Sequence, residues 1–372
     1  MFPDIASYSS FCQSIESSTL EATQNNIKKS FPIDGFIDIG TVGNFIHCIT
    51  GTIDARYFNS LKGDEYTIVK SSNNVKKIKS EYSFYHLLPE DMQMWFVMPF
   101  NYREEENIAS YTMERLHIAD LAIKWVHGSL DAEEFDKLMD KYFYFIKGRH
   151  QRDCKSSEEY KKIADKLYVD KVLNRLEDLK KLPQYEPIQR VLAAFNDASI
   201  DMLDALLEKY LKLKDKIEAR SNYPLVSVIG HGDLCFANTL YNKSTQTLKL
   251  IDPKGALVEE ELWTNPYYDL AKLSHSVCGK YDFFNHGMFD LKVDETFSIV
   301  LDIPFDNSLY VNIFRKKVEK NDFDYLSVRI YEVSLFLSML LLHIDNPYKV
   351  LGFILNAENI LKEIEKDVRD VI

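Results

Sequence analysis

Short apolar stretches mark a strand-rich region between residues 36 and 114. The stretches FIDIG, FIHCITG, EYTIVK, MWFVM and SYTME have the length and the β-branched or aromatic content of strands, with turn residues between several of them. One helical pattern, from about residue 74 to 88, lies among them and ends at Pro89. This part of the chain is therefore predicted to be a small α+β unit with five strands and one helix.

Longer patterns with helical spacing dominate after Leu116, with a break between Pro183 and Pro187, and they return over the last fifty residues. Between them lie a strand-rich island at 225–251, a helix that begins near Tyr268, and an alternating segment at 288–303 that fits a hairpin. Residues 1 to about 30 have an amphipathic helical pattern.

We predict three parts from this order of patterns. They are an N-terminal helical extension (1–29), a small lobe (30–116) and a large, mainly helical lobe (117–372). Because no Gly/Ser linker separates the two lobes, we expect them to pack around a cleft, which is a favoured position for ligand sites.

Composition narrows the class of protein. Hydrophobic residues make up 46% of the chain, which is enough for a folded core. The net charge of −12 argues against nucleic acid and anionic membranes as partners. The five cysteines have no CxxC pair, so neither a disulfide framework nor a zinc cluster is indicated. The apolar stretch near 333–344 is too short for a membrane span, and no signal-peptide pattern occurs, so a cytoplasmic location is expected.

The strongest chemical signal is HGDLCFAN, residues 231–238, which lies between strand-like runs. It matches H-x-D-L-x-x-x-N, the pattern of a kinase catalytic loop. Asp233 is predicted to be the general base for an attacking hydroxyl, and His231 to orient the loop. Asn238 and Asp252 offer the oxygen ligands that Mg²⁺ prefers in proteins.

HGDLCFAN followed by LKLIDPKG resembles the aminoglycoside phosphotransferase and choline kinase superfamily. Gly232 stands where protein kinases have Arg, and Asp252–Pro253 stands where they have D-F-G. The resemblance implies a protein-kinase-like two-lobe α+β fold that binds ATP and Mg²⁺ and phosphorylates a hydroxyl of a small molecule. The sequence does not distinguish ATP from GTP. PYYDLAKL resembles the family segment with a structural aspartate, which implies that Asp269 supports the catalytic loop.

Order and spacing suggest the other nucleotide contacts. Lys70, at the end of EYTIVK, is predicted to clamp the phosphates, with Glu81 on the next helix as its partner. The turn GTVGN would cover the phosphates through Gly40 and Gly43.

The backbone of the connector between the lobes, at Glu114 and Leu116, is expected to hydrogen-bond adenine. The acceptor stays open among a sugar, an amino alcohol and a nucleotide-linked intermediate. ADLAIKWVHGSLDAEEF and IDPKG resemble bacterial phosphotransferases of capsular or surface-polysaccharide gene clusters, which implies a role in polysaccharide biosynthesis. The acidic run Glu259–Glu261 fits a solvated face or a cationic acceptor.

Two other functions remain open at this point. The glycine loop has two glycines instead of three, which would suit a nucleotide-binding pseudokinase-like module. Nucleotidyl transfer on the same fold is the other alternative. The presence of Lys70, Asp233, Asn238 and Asp252 favours a phosphotransferase.

Overall fold

The computed structural model describes residues 60–195, 202–221 and 224–370. All of these residues belong to a single structural unit. The predicted N-terminal helix and the predicted strands FIDIG and FIHCITG lie outside the described residues.

An antiparallel sheet with the strand order β1-β2-β4-β3 forms the first part of the described chain. Its strands are β1 (Ser60–Gly63), β2 (Thr67–Ser72), β3 (Pro99–Glu105) and β4 (Ile108–Glu114). The register pairs Lys70 of β2 with Tyr111 of β4. EYTIVK and SYTME therefore form strands as predicted.

The strand predicted for MWFVM is wrong. Residues 94–98 form a turn and a short connection before β3. Phe96 packs into the core and makes an isolated bridge to Leu250, while Met94 and Met98 are 66% and 52% exposed. The apolar run thus reflects one buried anchor with exposed neighbours, a distribution that the number of apolar residues alone does not reveal.

Helix α1 (Val75–Leu87) connects the sheet with the rest of the protein. The Asn74 side chain caps it by accepting a hydrogen bond from the Lys77 N–H, and Pro89 follows its last turn. Ile78 packs in a small core beneath the sheet, whereas Phe84 belongs to the large core of the helical part. The short helix α2 (Glu90–Gln93) follows.

The large part of the protein is mainly helical. Its helices are α3 (Leu121–Val126), α4 (Ala132–Gly148), α5 (Ser157–Asp165), α6 (Lys171–Lys180), α7 (Tyr185–Phe195), α8 (Met202–Arg220), α9 (Tyr268–Val277), α10 (Tyr281–Asn285), α11 (Ser308–Lys320), α12 (Tyr325–Met339) and α13 (Pro347–Asp370). A π turn (Lys166–Asp170) joins α5 to α6, and 3₁₀ turns occupy Phe236–Asn238, Glu259–Leu262 and Leu340–His343.

Every residue of α12 is buried. In the described part of the chain, Tyr325–His343 is the one helix with the length and composition of a membrane span, but 89% of its apolar window is buried inside the protein.

Short strands complete the helical part. Strands β5 (Gln151–Asp153), β6 (Val226–Ile229) and β9 (Trp263–Thr264) form one sheet, and β7 (Thr239–Asn242) pairs with β8 (Thr247–Leu250). The predicted hairpin is present as β10 (Asp290–Val293) and β11 (Ile299–Asp302). A small antiparallel sheet followed by a mainly helical part is the expected two-lobe α+β fold, and that prediction is confirmed.

Candidate active site

The β7–β8 hairpin brings Asn238 and Asp252 together. Its register pairs Thr239 with Leu250, and one step further the Ile251 N–H donates to the Asn238 carbonyl at 3.0 Å. Asn238 and Asp252 therefore lie at the same open end of the hairpin.

The carboxylate of Asp233 lies at this end of the hairpin, held on two sides. The Asn238 side-chain amide donates to Asp233 Oδ2 at 3.0 Å and to the Asp233 carbonyl at 2.9 Å. The Lys272 ammonium lies 2.8 Å from Asp233 Oδ1. Because the Asp233 side chain is still 36% exposed, a substrate hydroxyl can reach it.

His231 is fully buried and contacts both ends of the site. Its Nδ1 accepts the Asp233 N–H at 3.1 Å, and its Nε2 lies 3.0 Å from the Ile251 carbonyl. Only a neutral ring with its proton on Nε2 satisfies both contacts. Burial lowers the pKa of His231, which favours that form. The ring thus joins the Asp233 loop to the end of β8, a geometry that fits orientation of the loop.

Asp269, at the start of α9, holds the backbone before Asp233. Its carboxylate accepts the Gly232 N–H at 2.8 Å and the His231 N–H at 3.1 Å. Arg149 pairs with it at 2.9 Å, and both side chains are buried. Gly232 has φ +78°, and a Cβ there would lie 2.5 Å from Lys254 Cδ, so the turn requires glycine.

On the sheet side, Lys70 lies between two carboxylates. Its ammonium is 2.8 Å from Glu81 Oε2 and 2.8 Å from Asp252 Oδ1. Burial acts to lower the pKa of Lys70, but the charges of Asp252 and Glu81 outweigh it and raise the pKa. The Tyr111 hydroxyl also donates to Glu81 at 3.1 Å. The structure therefore brings the predicted lysine and its predicted partner into direct contact.

Asp252 adopts the left-handed backbone region, with φ +53°, and its side chain is 44% exposed. The loop that follows is docked on α1, where the Ala256 N–H donates to the Ser80 carbonyl at 2.9 Å. Gly255 has φ +83°, and a Cβ there would lie 2.4 Å from Ser80 Oγ. Since Ser80 precedes Glu81, this docking fixes Asp252 relative to the helix that carries Glu81.

The structure does not test the remaining predicted positions. Gly40 and Gly43 lie outside the described residues. Glu114 is the last residue of β4 and pairs with Thr67, and the Leu116 carbonyl accepts from the Ile118 N–H at 2.8 Å. Their contact with adenine stays a prediction.

The acidic run Glu259–Glu261 is partly used within the protein. Glu260 pairs with Arg152 at 2.8 Å, and Glu261 accepts the Leu257 N–H at 2.7 Å. These contacts favour a solvated face for the run over a binding surface for a cationic acceptor.

Sequence reasoning missed Lys272 and Arg149. Lys272 lies three residues after Asp269, so on a helix both side chains point to the same side, towards the loop that contains Asp233. That spacing is visible in PYYDLAKL and could have indicated Lys272. Arg149 has no such signal, because it follows the end of a long helix and meets Asp269 only through tertiary packing.

The oxygen donors fit a magnesium ion. Asp252 supplies an exposed carboxylate, and Asn238 supplies an amide oxygen next to it in the hairpin register. Mg²⁺ commonly takes only one or two protein ligands and completes its shell with phosphate and water. Within the described residues, no cluster of three or more His, Cys, Asp or Glu side chains could hold a metal ion. The site therefore suits a metal shared with phosphates better than a metal held by the protein alone.

Fold and site together define a two-lobe, protein-kinase-like architecture with an Asp–Asn loop, a hairpin aspartate and a buried Lys–Glu pair. Among solved structures, the chain is similar to a thermostable variant of aminoglycoside phosphotransferase APH(4)-Ia in a ternary complex with AMP-PNP and hygromycin B. That chain is 10% identical with a TM-score of 0.49, and the match covers 83% of this chain and 92% of that one.

Two further similar structures are an APH(2'')-IIa complex with gentamicin and Plasmodium vivax ethanolamine kinase. The first is 14% identical, with a TM-score of 0.43 and coverage of 84% of this chain and 90% of that one. The second is 12% identical, with a TM-score of 0.42 and coverage of 92% of both chains. No protein-family model and no curated protein sequence matches the chain.

Proposed function

We propose that this protein is an ATP- and Mg²⁺-dependent kinase that transfers the γ-phosphoryl group to a hydroxyl of a small molecule. The main support for the proposal is that three segments of the chain, which contain Lys70, Asp233 with Asn238, and Asp252, come together in one site. Lys70 contacts Asp252 at 2.8 Å, and Asn238 contacts Asp233 at 3.0 Å. These are the side chains that phosphoryl transfer requires for phosphate binding, metal binding and proton removal.

In this proposal, Asp233 acts on the acceptor. The acceptor hydroxyl gives its proton to the Asp233 carboxylate while its oxygen forms a bond to the γ-phosphorus. The bond between that phosphorus and the β–γ bridging oxygen breaks, and ADP leaves with the bond electrons. Asn238 and Lys272 hold the carboxylate from two sides, which fixes its position for the proton transfer.

Asp252 and Asn238 would hold the magnesium ion, which supplies neutralisation of phosphate charge when it is bound. Lys70 would contact the nucleotide phosphates, with Glu81 orienting its ammonium. Use of ATP rather than GTP, a cytoplasmic location and an acceptor from surface-polysaccharide synthesis are parts of this proposal that rest on the sequence alone.

Nucleotide binding is the first test. We expect calorimetry to detect ATP binding that strengthens with Mg²⁺ and weakens by roughly tenfold or more in Asp252→Asn, since the loss of one metal carboxylate costs at least ~1.4 kcal/mol. Asparagine tolerates the left-handed backbone at this position, so the variant removes the charge without straining the turn. Asp345→Asn is a matched control, because Asp345 is exposed and far from these contacts in the sequence.

Product analysis separates the alternatives. Mass spectrometry distinguishes a phosphorylated acceptor from a nucleotidyl adduct. Wild-type protein that binds neither ATP nor GTP would contradict the proposal. Tight nucleotide binding without transfer to any acceptor or to water would favour the pseudokinase-like module.

A further inference from the structure

Four lysines meet on the helical side of the site. We call Lys166, Lys171, Lys254 and Lys272 the lysine cluster. They come from the π turn, from α6, from the loop after Asp252 and from α9. Their convergence is unexpected for a chain in which 57 acidic residues outnumber 45 basic ones.

Tyr268 lies at the centre of the lysine cluster. The Lys171 ammonium donates to its hydroxyl at 3.0 Å, and Lys272, one helical turn further along α9, pairs with Asp233. Burial acts to raise the pKa of Tyr268, but the charges of Lys171 and Lys272 outweigh it and lower that pKa. Positive charge therefore dominates the surroundings of this buried hydroxyl.

The π turn gives Lys166 and Lys171 a common direction. A π turn closes hydrogen bonds between residues five apart, so Lys166 and Lys171 lie on nearly the same side of the helix. In an α-helix with 3.6 residues per turn, the same two residues would point to different sides. Buried Tyr168 fixes the turn by stacking on Tyr331 at 3.8 Å and donating to Asn265 at 3.1 Å. π turns often occur at functional sites.

Lys254 faces the same region from the loop after Asp252. Its carbon chain packs on Gly232, the residue before Asp233, and the residue as a whole is exposed. Lys166 lies close enough to Lys254 for the two charges to repel. Neither of these two ammonium groups has a hydrogen-bond or ion-pair partner within the described part of the chain.

Carboxylates do not balance the lysine cluster. The carboxylates that act on Lys254 and Lys272 are Asp233, Asp269 and Glu261. Asp269 is already paired with Arg149, and Asp233 is paired with Lys272. Among the described residues, Lys166, Lys171 and Lys254 form no ion pair with a carboxylate, so the surface beside the base attracts anions.

In the proposed function the nucleotide phosphates have a lysine of their own, Lys70 on β2. We propose that the acceptor itself is anionic: it carries a phosphate or carboxylate group that binds Lys166, Lys171 and Lys254 while its hydroxyl lies at Asp233. This inference rests on the proposed kinase function. It narrows the open set of acceptors to acidic hydroxyl compounds, such as phosphorylated or carboxylated sugars, and excludes amino alcohols.

Anion binding tests the lysine cluster without knowledge of the acceptor. The protein is saturated with AMP-PNP and Mg²⁺, so that the nucleotide phosphate positions are filled, and inorganic phosphate is titrated by calorimetry or NMR. We expect millimolar or tighter binding that Lys166→Met/Lys171→Met weakens about tenfold or more, in line with the loss of two charge pairs at a partly buried site. Lys161→Met, an exposed lysine on α5, is the matched control.

Phosphate binding that is absent in the wild type, or equal in the double variant, would overturn the inference. AMP-PNP affinity, measured on each variant, reports separately on the nucleotide site. Failure of AMP-PNP to bind to the wild type would count against the proposed kinase function, whereas intact AMP-PNP binding without phosphate binding would count against the anionic acceptor alone.

Phosphorylation of matched sets of alcohols is a second, independent test of the inference. Glucose, glucosamine, glucuronate and glucose 1-phosphate share one ring and differ in charge, and the same design extends to other alcohols and their phosphates. Phosphorylation that favours the anionic member of each active set supports the inference. Preference for a neutral or cationic member in any active set would overturn it.

Discussion

Two charged clusters contribute to the site, one from the sheet and one from the helical part, and their charge balance differs. In the sheet cluster, Lys70 contacts Glu81 and Asp252, and Lys77 also pairs with Glu81, so the charges of the two signs are equal in number. The lysine cluster contributes four ammonium groups, of which Lys272 is paired with Asp233.

The two clusters also differ in burial. Lys70 and Glu81 have side chains that are 3% and 4% exposed, whereas Lys166 and Lys254 are exposed. A buried cluster of closely paired charges contributes to the structure of the protein, whereas an exposed excess of positive or negative charge attracts a ligand of the opposite charge. The sheet side, with the 44% exposed carboxylate of Asp252, thus suits a cation, and the helical side suits an anion.

The largest expected effect comes from substitution of Asp233, which contacts Lys272 of the lysine cluster and Asn238 of the predicted metal site. Asp233→Asn keeps the shape of the side chain but removes the base, so we expect kcat to fall by about 10²–10⁴-fold. ATP and Mg²⁺ binding should be retained, because Lys70 and Asp252 are unchanged. Steady-state kinetics and calorimetry measure both, and Asp345→Asn is the control. Full activity in Asp233→Asn would remove the proposed mechanism.

The second prediction is that the two clusters contribute differently to the stability of the fold. Lys70→Met removes the buried cation of Glu81, and the Lys77 ammonium, 3.7 Å from Glu81 Oε1 on a side chain that is 38% exposed, compensates only in part. We therefore expect the free energy of unfolding to fall by up to about 3 kcal/mol. Glu81→Gln in the same chain should recover most of that loss. Lys166→Met removes an exposed charge and should leave the unfolding midpoint in urea nearly unchanged. Equal midpoints for Lys70→Met and the wild type would contradict the structural role of the sheet-side cluster.

The two clusters also differ in how far their contacts could be predicted from the sequence. Asp233, Asn238 and Asp252 lie in one loop and one hairpin, where local pattern fixes geometry. Lys70 and Glu81 follow from the order of one strand and one helix. These contacts depend on elements that are adjacent in the chain, so short-range pattern was sufficient to bring each group together.

The lysine cluster depends on packing between distant helices, which short-range pattern does not encode. The π turn at Lys166–Asp170 rotates the following helix, and no residue preference in the sequence indicated it. Arg149 reaches Asp269 across 120 positions of sequence. The wrong strand prediction for MWFVM has the same cause. The conformation of this segment is decided by the tertiary contact of Phe96 with the helical part, which the local sequence does not encode.

Asp282 is another buried carboxylate, and no ammonium or guanidinium group pairs with it among the described residues. Burial raises the pKa of Asp282 to about 7. The unfolded chain loses this proton near pH 4 and the folded protein only near pH 7, so this group makes stability fall as pH rises between those values.

We therefore expect wild-type stability to fall relative to Asp282→Asn by up to about 1.4 kcal/mol for each pH unit in that window. Urea unfolding of both proteins at pH 5 and pH 6 measures the difference, and subtraction removes the other titrating groups. A constant difference across this range would mean that Asp282 is ionised in the folded protein throughout.

The smallest effect distinguishes two neighbouring glutamates. Glu260 pairs with Arg152 on the surface, with side chains that are 74% and 40% exposed, so Glu260→Gln should change neither activity nor phosphate affinity. Glu261 acts on Lys254, and Glu261→Gln removes this negative charge while a glutamine oxygen can still accept the Leu257 N–H. We expect phosphate to bind about twofold more tightly to Glu261→Gln, in line with the weak coupling of exposed charges. The same titration with AMP-PNP and Mg²⁺ measures it, and weaker binding would mean that Glu261 helps to hold the anion site together instead of opposing it.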